Sequence, residues 1–180
     1  MNVMPTALPD DKLLEPRVFG DDRGFFFESW NARAFAAAGL AATFVQDNHS
    51  RSRRGVLRGL HYQIEHAQGK LVRVVAGEVF DVVVDLRRSS PTFGRSLCMT
   101  LSAENRRMLW VPPGFAHGFL AVSEHAEFLY KTTDYWYAEH ERTLLWNDPA
   151  LRIAWPHSGA PILAAKDVAG APLAAADVYP

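Results

Sequence analysis

The chain is nearly devoid of cysteine: Cys98 stands alone among 180 residues. It has no partner for an internal disulfide, which suits a reducing cytosol and excludes a disulfide-stapled scaffold. Long apolar runs are missing as well, and none approaches the roughly 20 residues that span a bilayer. The opening segment, Met1 to Leu14, has no basic stretch followed by an apolar one and carries Asp10 and Asp11. Secretion and membrane insertion are therefore not expected, and the cytoplasm is the expected location. A surplus of charge is also lacking, since 19 Lys and Arg face 20 Asp and Glu for a net charge of −1. That balance argues against a general nucleic-acid binder, which carries a basic excess.

What is there is ordinary for a globular protein, with 48% apolar and 22% charged residues. At this length folding hides roughly two-thirds of the surface, enough for a real core without staples. With no internal repeat and no linker, residues 1–180 read as a single domain. The basic residues are uneven in kind, because 15 of the 19 are arginine. Four of them, Arg51, Arg53, Arg54 and Arg58, fall within eight positions. Arginine's planar fork matches phosphate oxygens two at a time, so the cluster points to a phosphorylated small ligand. A solvated basic loop is the competing reading for Arg51, Arg53 and Arg54.

Aromatic and β-branched residues concentrate in short runs: Gly24 to Trp30, Thr43 to His49, Val56 to Ile64, Lys70 to Val75 and Glu78 to Leu86. Further runs are Ser96 to Leu101, Arg107 to Val111, Gly118 to Val122 and Ala126 to Thr133. Short strands at close spacing predict a sandwich or barrel rather than βαβ units. Ala76-Gly77 reads as a hairpin turn. One helix is expected over Ala32 to Ala38, capped by Asn31 and stopped by Gly39, with a helical turn after Pro149. Beyond Trp155 the Pro-, Ala- and Gly-rich chain is expected to wrap the surface. The fold class is thus all-β with a few short helices.

Groups suited to chemistry gather in Arg58-Gly-Leu-His-Tyr-Gln63, in Pro112-Pro-Gly-Phe-Ala-His117 and in Phe128-Leu-Tyr-Lys131. The Pro-x-Gly-x-x-His pattern at 112–117 resembles the second motif of cupins, small double-stranded β-helix (jelly-roll) barrels. Metal-binding cupins pair it with an upstream His-x-His, whose counterpart here is His61-Tyr62-Gln63 with the second His missing. Two imidazoles and an amide make a poor set for zinc or iron. A cupin-like barrel with no metal is expected, leaving acid–base work to side chains.

Longer words carry a more specific resemblance. Val18 to Ser29, Phe44 to Ser50, Val56 to His61, Gln68 to Arg73, Gly77 to Asp81 and Ser90 to Gly94 resemble the dTDP-4-dehydrorhamnose 3,5-epimerase family. Leu101 to Asn105, Gly114 to Phe119, Ala126 to Lys131, Leu145 to Asp148 and Ala165 to Asp167 continue the match, which runs from about residue 13 to residue 167. The extreme N-terminus, Tyr137 to Thr143 and the 168–180 surface tail look individual.

The resemblance implies inversion of carbons 3 and 5 of dTDP-4-dehydro-6-deoxy-D-glucose, giving dTDP-4-dehydro-L-rhamnose, without cofactor or metal. A proton next to a ketone leaves from one face and returns to the other, so a base and an acid must flank the sugar. On the family pattern His61 is the base, Tyr130 the acid and Asp167 the carboxylate that orients the base and raises its pKa. Lys70 matches the lysine near the enolate oxygen, and Arg58 and His117 match groups lining the sugar and diphosphate. Gln46 and Asn48 alternate along a strand, so both amides face one side. Glu141 and Lys166 match weaker ligand contacts, and Tyr135 and Trp136 are candidates to stack on thymine. Arg23 and Glu28 match residues that reach the neighbouring subunit of a homodimer from an exchanged N-terminal strand. Asp81, in an apolar strand, is either a second partner of His61 or a structural acid. Two other functions stay open: a single-carbon epimerase and a nucleotide-sugar-binding cupin without catalysis.

One conflict arises from spacing alone. Arg58 and His61 are three apart, so a regular strand would point them to opposite faces. Gly59 is the residue suited to a β-bulge that brings them together. The alternative is a regular strand with Arg58 reaching in from the rim.

Overall fold

The computed structural model describes residues 1–180. The strands are β1 (Asn2–Pro5), β2 (Lys12–Glu15), β3 (Phe19–Asp21), β4 (Gly24–Phe26), β5 (Gln46–Arg53), β6 (Leu57–Gln63) and β7 (Lys70–Ala76). They continue with β8 (Glu78–Asp85), β9 (Ser96–Ser102), β10 (Met108–Val111), β11 (Phe115–Ala121), β12 (His125–Thr132) and β13 (Glu141–Thr143). Two short helices, α1 (Ala32–Ala37) and α2 (Ala165–Val168), complete the regular structure with three single 3₁₀ turns.

Two antiparallel sheets face each other as a jelly roll. One has the order β1-β2-β10-β7-β12-β5 and the other β13-β6-β11-β8-β9. The period-2 alternation of each strand divides its residues between the space between the sheets and the outside. Val72, Val74, Leu109, Ala126 and Phe128 of the first sheet meet Val79, Val83, Leu101, Phe115 and Phe119 of the second in the central core. Phe119 and Phe128 stack there with centroids 4.3 Å apart.

The other faces are covered too, which is why several strands read as continuous apolar runs. Leu60, Tyr62, Val82, Val84 and Ala116 pack outward under Leu144, Leu151 and Ala176. Leu14, Leu71 and Met108 pack outward against Phe35 of α1 and Leu40. Asn31 caps α1 by accepting from the N–H groups of Arg33 and Ala34, and Gly39 leaves the helix at φ +78°. The turn expected after Pro149 is a 3₁₀ turn over Pro149–Leu151 capped by Asp148. The C-terminal tail is tied down: the Tyr62 hydroxyl donates to the Asp177 carbonyl and the Tyr179 hydroxyl to the Gln63 carbonyl.

Two expectations are corrected. Ala76-Gly77 is not a hairpin, because β7 and β8 lie in different sheets and do not pair. The turn is a corner, and Gly77 at φ +70° packs its bare Cα side against the His125 carbonyl. Local turn chemistry marks where the chain bends but not which sheet receives the next strand. The run Gly24 to Trp30 is paired only over Gly24–Phe26, in a separate two-stranded hairpin with Phe19–Asp21. Phe19, Phe25 and Phe26 are exposed there by 51%, 60% and 67%.

The bulge expected at Gly59 is present. Across β6 and β11, His61 is opposite His117 while Arg58 is opposite Phe119, so three steps on β6 match two on β11. His117 and Phe119 share a face, and so therefore do their partners Arg58 and His61. Gly59 holds φ +136°, a conformation that side chains resist.

Candidate active site

A cleft of about 450 Å³ opens between the two sheets at one end of the barrel. Its volume suits a small organic ligand. The five-stranded sheet contributes Arg58 and His61 from β6, His117 and Phe119 from β11, and Glu141 from β13. The six-stranded sheet contributes Gln46, Asn48 and Ser50 from β5, Lys70 from β7, and Phe128 and Tyr130 from β12. Lys166 and Asp167 close one side from α2, and Gln68 and Trp136 stand on neighbouring loops. Ten of the twelve residues that the family pattern or the strand alternation assigns to the site thus share one cleft. The other two, Arg23 and Glu28, do not line it. Arg23 pairs with Asp21 at 2.5 Å on the exposed hairpin, and Glu28 accepts from the Asn31 side chain at 3.0 Å.

At the centre His61 Nε2 lies 2.5 Å from Asp167 Oδ1. Asp167 is 1% exposed on α2. Burial works against its charge, yet the His61 hydrogen bond and the N–H groups of Ala164 and Gly59 hold its carboxyl below the usual range. An ionised partner fixes the proton of His61 on Nε2 and leaves Nδ1 free to accept one. The expectation that Asp167 raises the pKa of this histidine is met only in part. Burial pulls His61 below its ordinary value and outweighs the Asp167 contribution, so the ring is neutral near pH 7. Neutrality is what a base requires.

Tyr130 reaches the cleft from the opposite sheet, so it faces His61 across the opening. Burial, reinforced by the charge of Glu141, pushes its hydroxyl above the ordinary value and keeps it protonated. Lys70 shares the inward face of β7 with Val72 and Val74, and its Nζ donates to the His61 carbonyl at 3.3 Å. Burial pushes its pKa down to about 8, against the pull of Glu141. A lysine so held is charged at neutral pH and ready to meet a developing oxyanion.

The remaining groups are held by the sheets themselves. Arg58 Nε donates to Ser52 Oγ at 3.0 Å, which aims the guanidinium along the wall. His117 Nε2 lies 3.0 Å from Asp81 Oδ2, both side chains buried, so Asp81 partners His117 and not His61. Gln46 Nε2 donates to Asn48 Oδ1 at 3.0 Å on the inward face of β5. Lys166 pairs with Glu141 at 2.8 Å. Arg51 and Arg53 point outward from β5, and only Arg58 of the arginine cluster enters the cleft. Trp136 lines the cleft and Tyr135 does not. Sequence reasoning missed Ser50, Gln68, Phe119 and Phe128 as cleft residues; all four lie in the words that carry the resemblance, and Ser50 continues the alternation of Gln46 and Asn48.

Known proteins match the chain in sequence and in fold. The family model described as dTDP-4-dehydrorhamnose 3,5-epimerase matches residues 5–175. The chain belongs to that family. A curated dTDP-4-dehydrorhamnose 3,5-epimerase from Pseudomonas aeruginosa is 65% identical over 100% of both chains. The crystal structure of a dTDP-6-deoxy-D-glucose-3,5-epimerase from Legionella pneumophila in complex with dTDP-4-keto-L-rhamnose superposes with a TM-score of 0.94 at 50% identity, covering 97% of this chain and 93% of that one. A 3'-monoepimerase from Streptomyces bikiniensis in complex with dTDP-quinovose has a TM-score of 0.89 at 32% identity, over 94% and 87% of the two chains. The family's barrel is therefore shared by enzymes acting at two carbons and at one.

Proposed function

We infer that this epimerase inverts carbons 3 and 5 of dTDP-4-dehydro-6-deoxy-D-glucose to give dTDP-4-dehydro-L-rhamnose, with His61 as base and Tyr130 as acid. The carrying observation is the His61–Asp167 pair on one wall of the cleft with Tyr130 on the other. His61 takes the proton next to the ketone, and the electron pair moves onto the carbon-4 oxygen as an enolate. Lys70 stabilises that oxygen. The Tyr130 hydroxyl then returns a proton to the far face, and proton exchange with solvent resets both groups. The same sequence at the second flanking carbon completes the reaction. Arg58 takes charged oxygens of the diphosphate, while His117, held by Asp81, and the amides of Gln46 and Asn48 line the ligand. Glu141 and Lys166 close the rim.

The extent of identity favours action at both carbons, since the match to the two-carbon enzyme from Pseudomonas aeruginosa is twice as close as that to the monoepimerase. The deciding experiment is turnover of the 4-keto sugar nucleotide in deuterated water. Deuterium at carbons 3 and 5 is the expected result. Label at one carbon would make the protein a monoepimerase, and label at neither would make it a binder.

We further propose a cytoplasmic homodimer in which the β3–β4 hairpin crosses to the partner. The exposed Phe19, Phe25 and Phe26 need cover, and Arg23 and Glu28 lie outside their own cleft. No helix is long and apolar enough to cross a membrane. A monomer at micromolar concentration by sedimentation would refute the exchange.

A further inference from the structure

Gln63 lies two residues beyond His61 on the same face of β6 and is 3% exposed. It occupies the place where metal-binding cupins carry their second histidine, yet its amide is fully committed to backbone. Nε2 donates to the carbonyls of His66 at 2.8 Å and Tyr135 at 3.1 Å, and Oε1 accepts from the Tyr137 N–H at 2.8 Å. Two donors and one acceptor in this arrangement are what a primary amide supplies and an imidazole cannot.

Two other glutamines hold the same loop. Gln68 Nε2 donates to the Asp134 carbonyl at 2.9 Å, and Gln46 Oε1 accepts from the Trp136 N–H at 3.2 Å. Four successive residues, Asp134 to Tyr137, are thus gripped through their main chain by three glutamine side chains. Gln46 is rooted in one sheet and Gln63 in the other, so the loop is fixed against both walls of the cleft. His66 adds an outer clasp, stacking on Tyr137 at 4.3 Å and hydrogen-bonding Asp134 at 3.1 Å. The one loop residue that lines the cleft is Trp136, which stands 56% exposed.

We propose that Gln63 is a positioning residue for the nucleotide end of the substrate. Its amide fixes the 134–137 loop so that the Trp136 ring is held at the cleft as a flat platform for the base. The proposal rests on the cleft being the dTDP-sugar site. Replacing the amide leaves buried backbone groups unpaired, and an exposed loop relieves that by moving. The effect falls on binding before it falls on proton transfer, because neither His61 nor Asp167 bonds to Gln63.

The test uses the whole chain with Gln63→Met, Trp136→Ala and the double variant. The dissociation constant of dTDP is measured by calorimetry, and KM and kcat with the 4-keto sugar nucleotide. Gln63→Met is expected to weaken dTDP about tenfold, the loss of roughly one net hydrogen bond, with KM rising more than kcat falls. In the double variant the two losses should overlap instead of adding, since both act through one ring. Unchanged dTDP affinity in folded Gln63→Met, or strict additivity, would overturn the proposal. Should Gln63→Met fail to fold, His66→Ala loosens the same loop from outside, and dTDP affinity equal to that of the unaltered protein would overturn it as well. An unaltered protein that binds no dTDP would refute the underlying assignment of the cleft instead.

Discussion

Gly59 and Gly118 touch across the β6–β11 pair: a methyl on Gly59 would lie 2.5 Å from the Gly118 Cα, and one on Gly118 would lie 2.8 Å from the Gly59 Cα. Backbone stands on both sides of this contact, so no side chain can rotate away. The contact sits at the bulge that turns Arg58 and His61 toward one cleft, and the Gly59 N–H supports Asp167. Gly118→Ala should therefore cost about 1–3 kcal/mol of stability, the usual penalty of overpacking. It should also lower kcat of the folded enzyme, because His61 and Asp167 shift together. Denaturant unfolding and steady-state kinetics check both, and a variant with native kcat would separate the bulge from catalysis.

Substitutions at the two walls of the cleft should separate proton removal from proton return. His61→Ala is expected to lose about 10²–10⁴-fold in turnover, the range of a general base, and to incorporate no deuterium at either carbon. Asp167→Asn should fall in the same direction, since a neutral amide no longer fixes the tautomer. Tyr130→Phe should still exchange deuterium but form little epimerised product. Mass spectrometry together with separation of the sugar nucleotides distinguishes these outcomes. Normal exchange in His61→Ala would place the base elsewhere.

The pH profile of kcat/KM should be a bell. His61 works as the neutral ring, and burial has lowered its pKa, so the acidic limb should fall below its ordinary value near 6.5. Lys70 works as the cation and titrates at about 8, so activity should decline as pH rises through that value. Lys70→Met should remove the alkaline limb along with most of the rate. An alkaline limb unchanged in that variant would assign it to another group.

Metal should play no part in turnover. The residue at the second ligand position, Gln63, has its amide oxygen and both amide protons engaged by backbone. Exhaustive chelation is expected to leave kcat unchanged. Loss of activity restored by a divalent ion would contradict this.

The sequence made most of the barrel legible because its strands alternate with a clear period or are buried on both faces. β1, β2, β3 and β13 escaped notice for the opposite reason: they are four, four, three and three residues long and take their shape from neighbours. β13 matters most, because pairing Thr143 with His61 and Glu141 with Gln63 is what carries Glu141 to the cleft. The conflict between Arg58 and His61 was readable from spacing, and Gly59 named its own resolution. The glutamine frame around Trp136 was not readable, since side chain to backbone bonds leave no pattern. Nor was the direction of the His61 shift, which depends on how deeply the ring is buried.

Asp11 offers a stability test remote from the cleft. It is 0% exposed, and neither carboxyl oxygen has a hydrogen-bond partner. Burial, assisted by the charges of Asp85, Asp10 and Asp81 and opposed by Arg87, pushes its pKa up to about 8. The sign follows from proton counts. Between about pH 4 and 8 the unfolded chain has released this proton while the folded protein keeps it. Folding then takes up a proton, so the stabilising share of Asp11 is full below its unfolded pKa and is lost as pH rises toward 8. Asp11→Asn removes the ionisable group while keeping the shape. The variant should gain on the wild type as pH rises from 5 to 8.5, by roughly 1.4 kcal/mol for each pH unit over which only the folded protein holds the proton. Denaturant melts at several pH values measure the difference. A gap that stays constant with pH would show that Asp11 is ionised in the folded protein throughout.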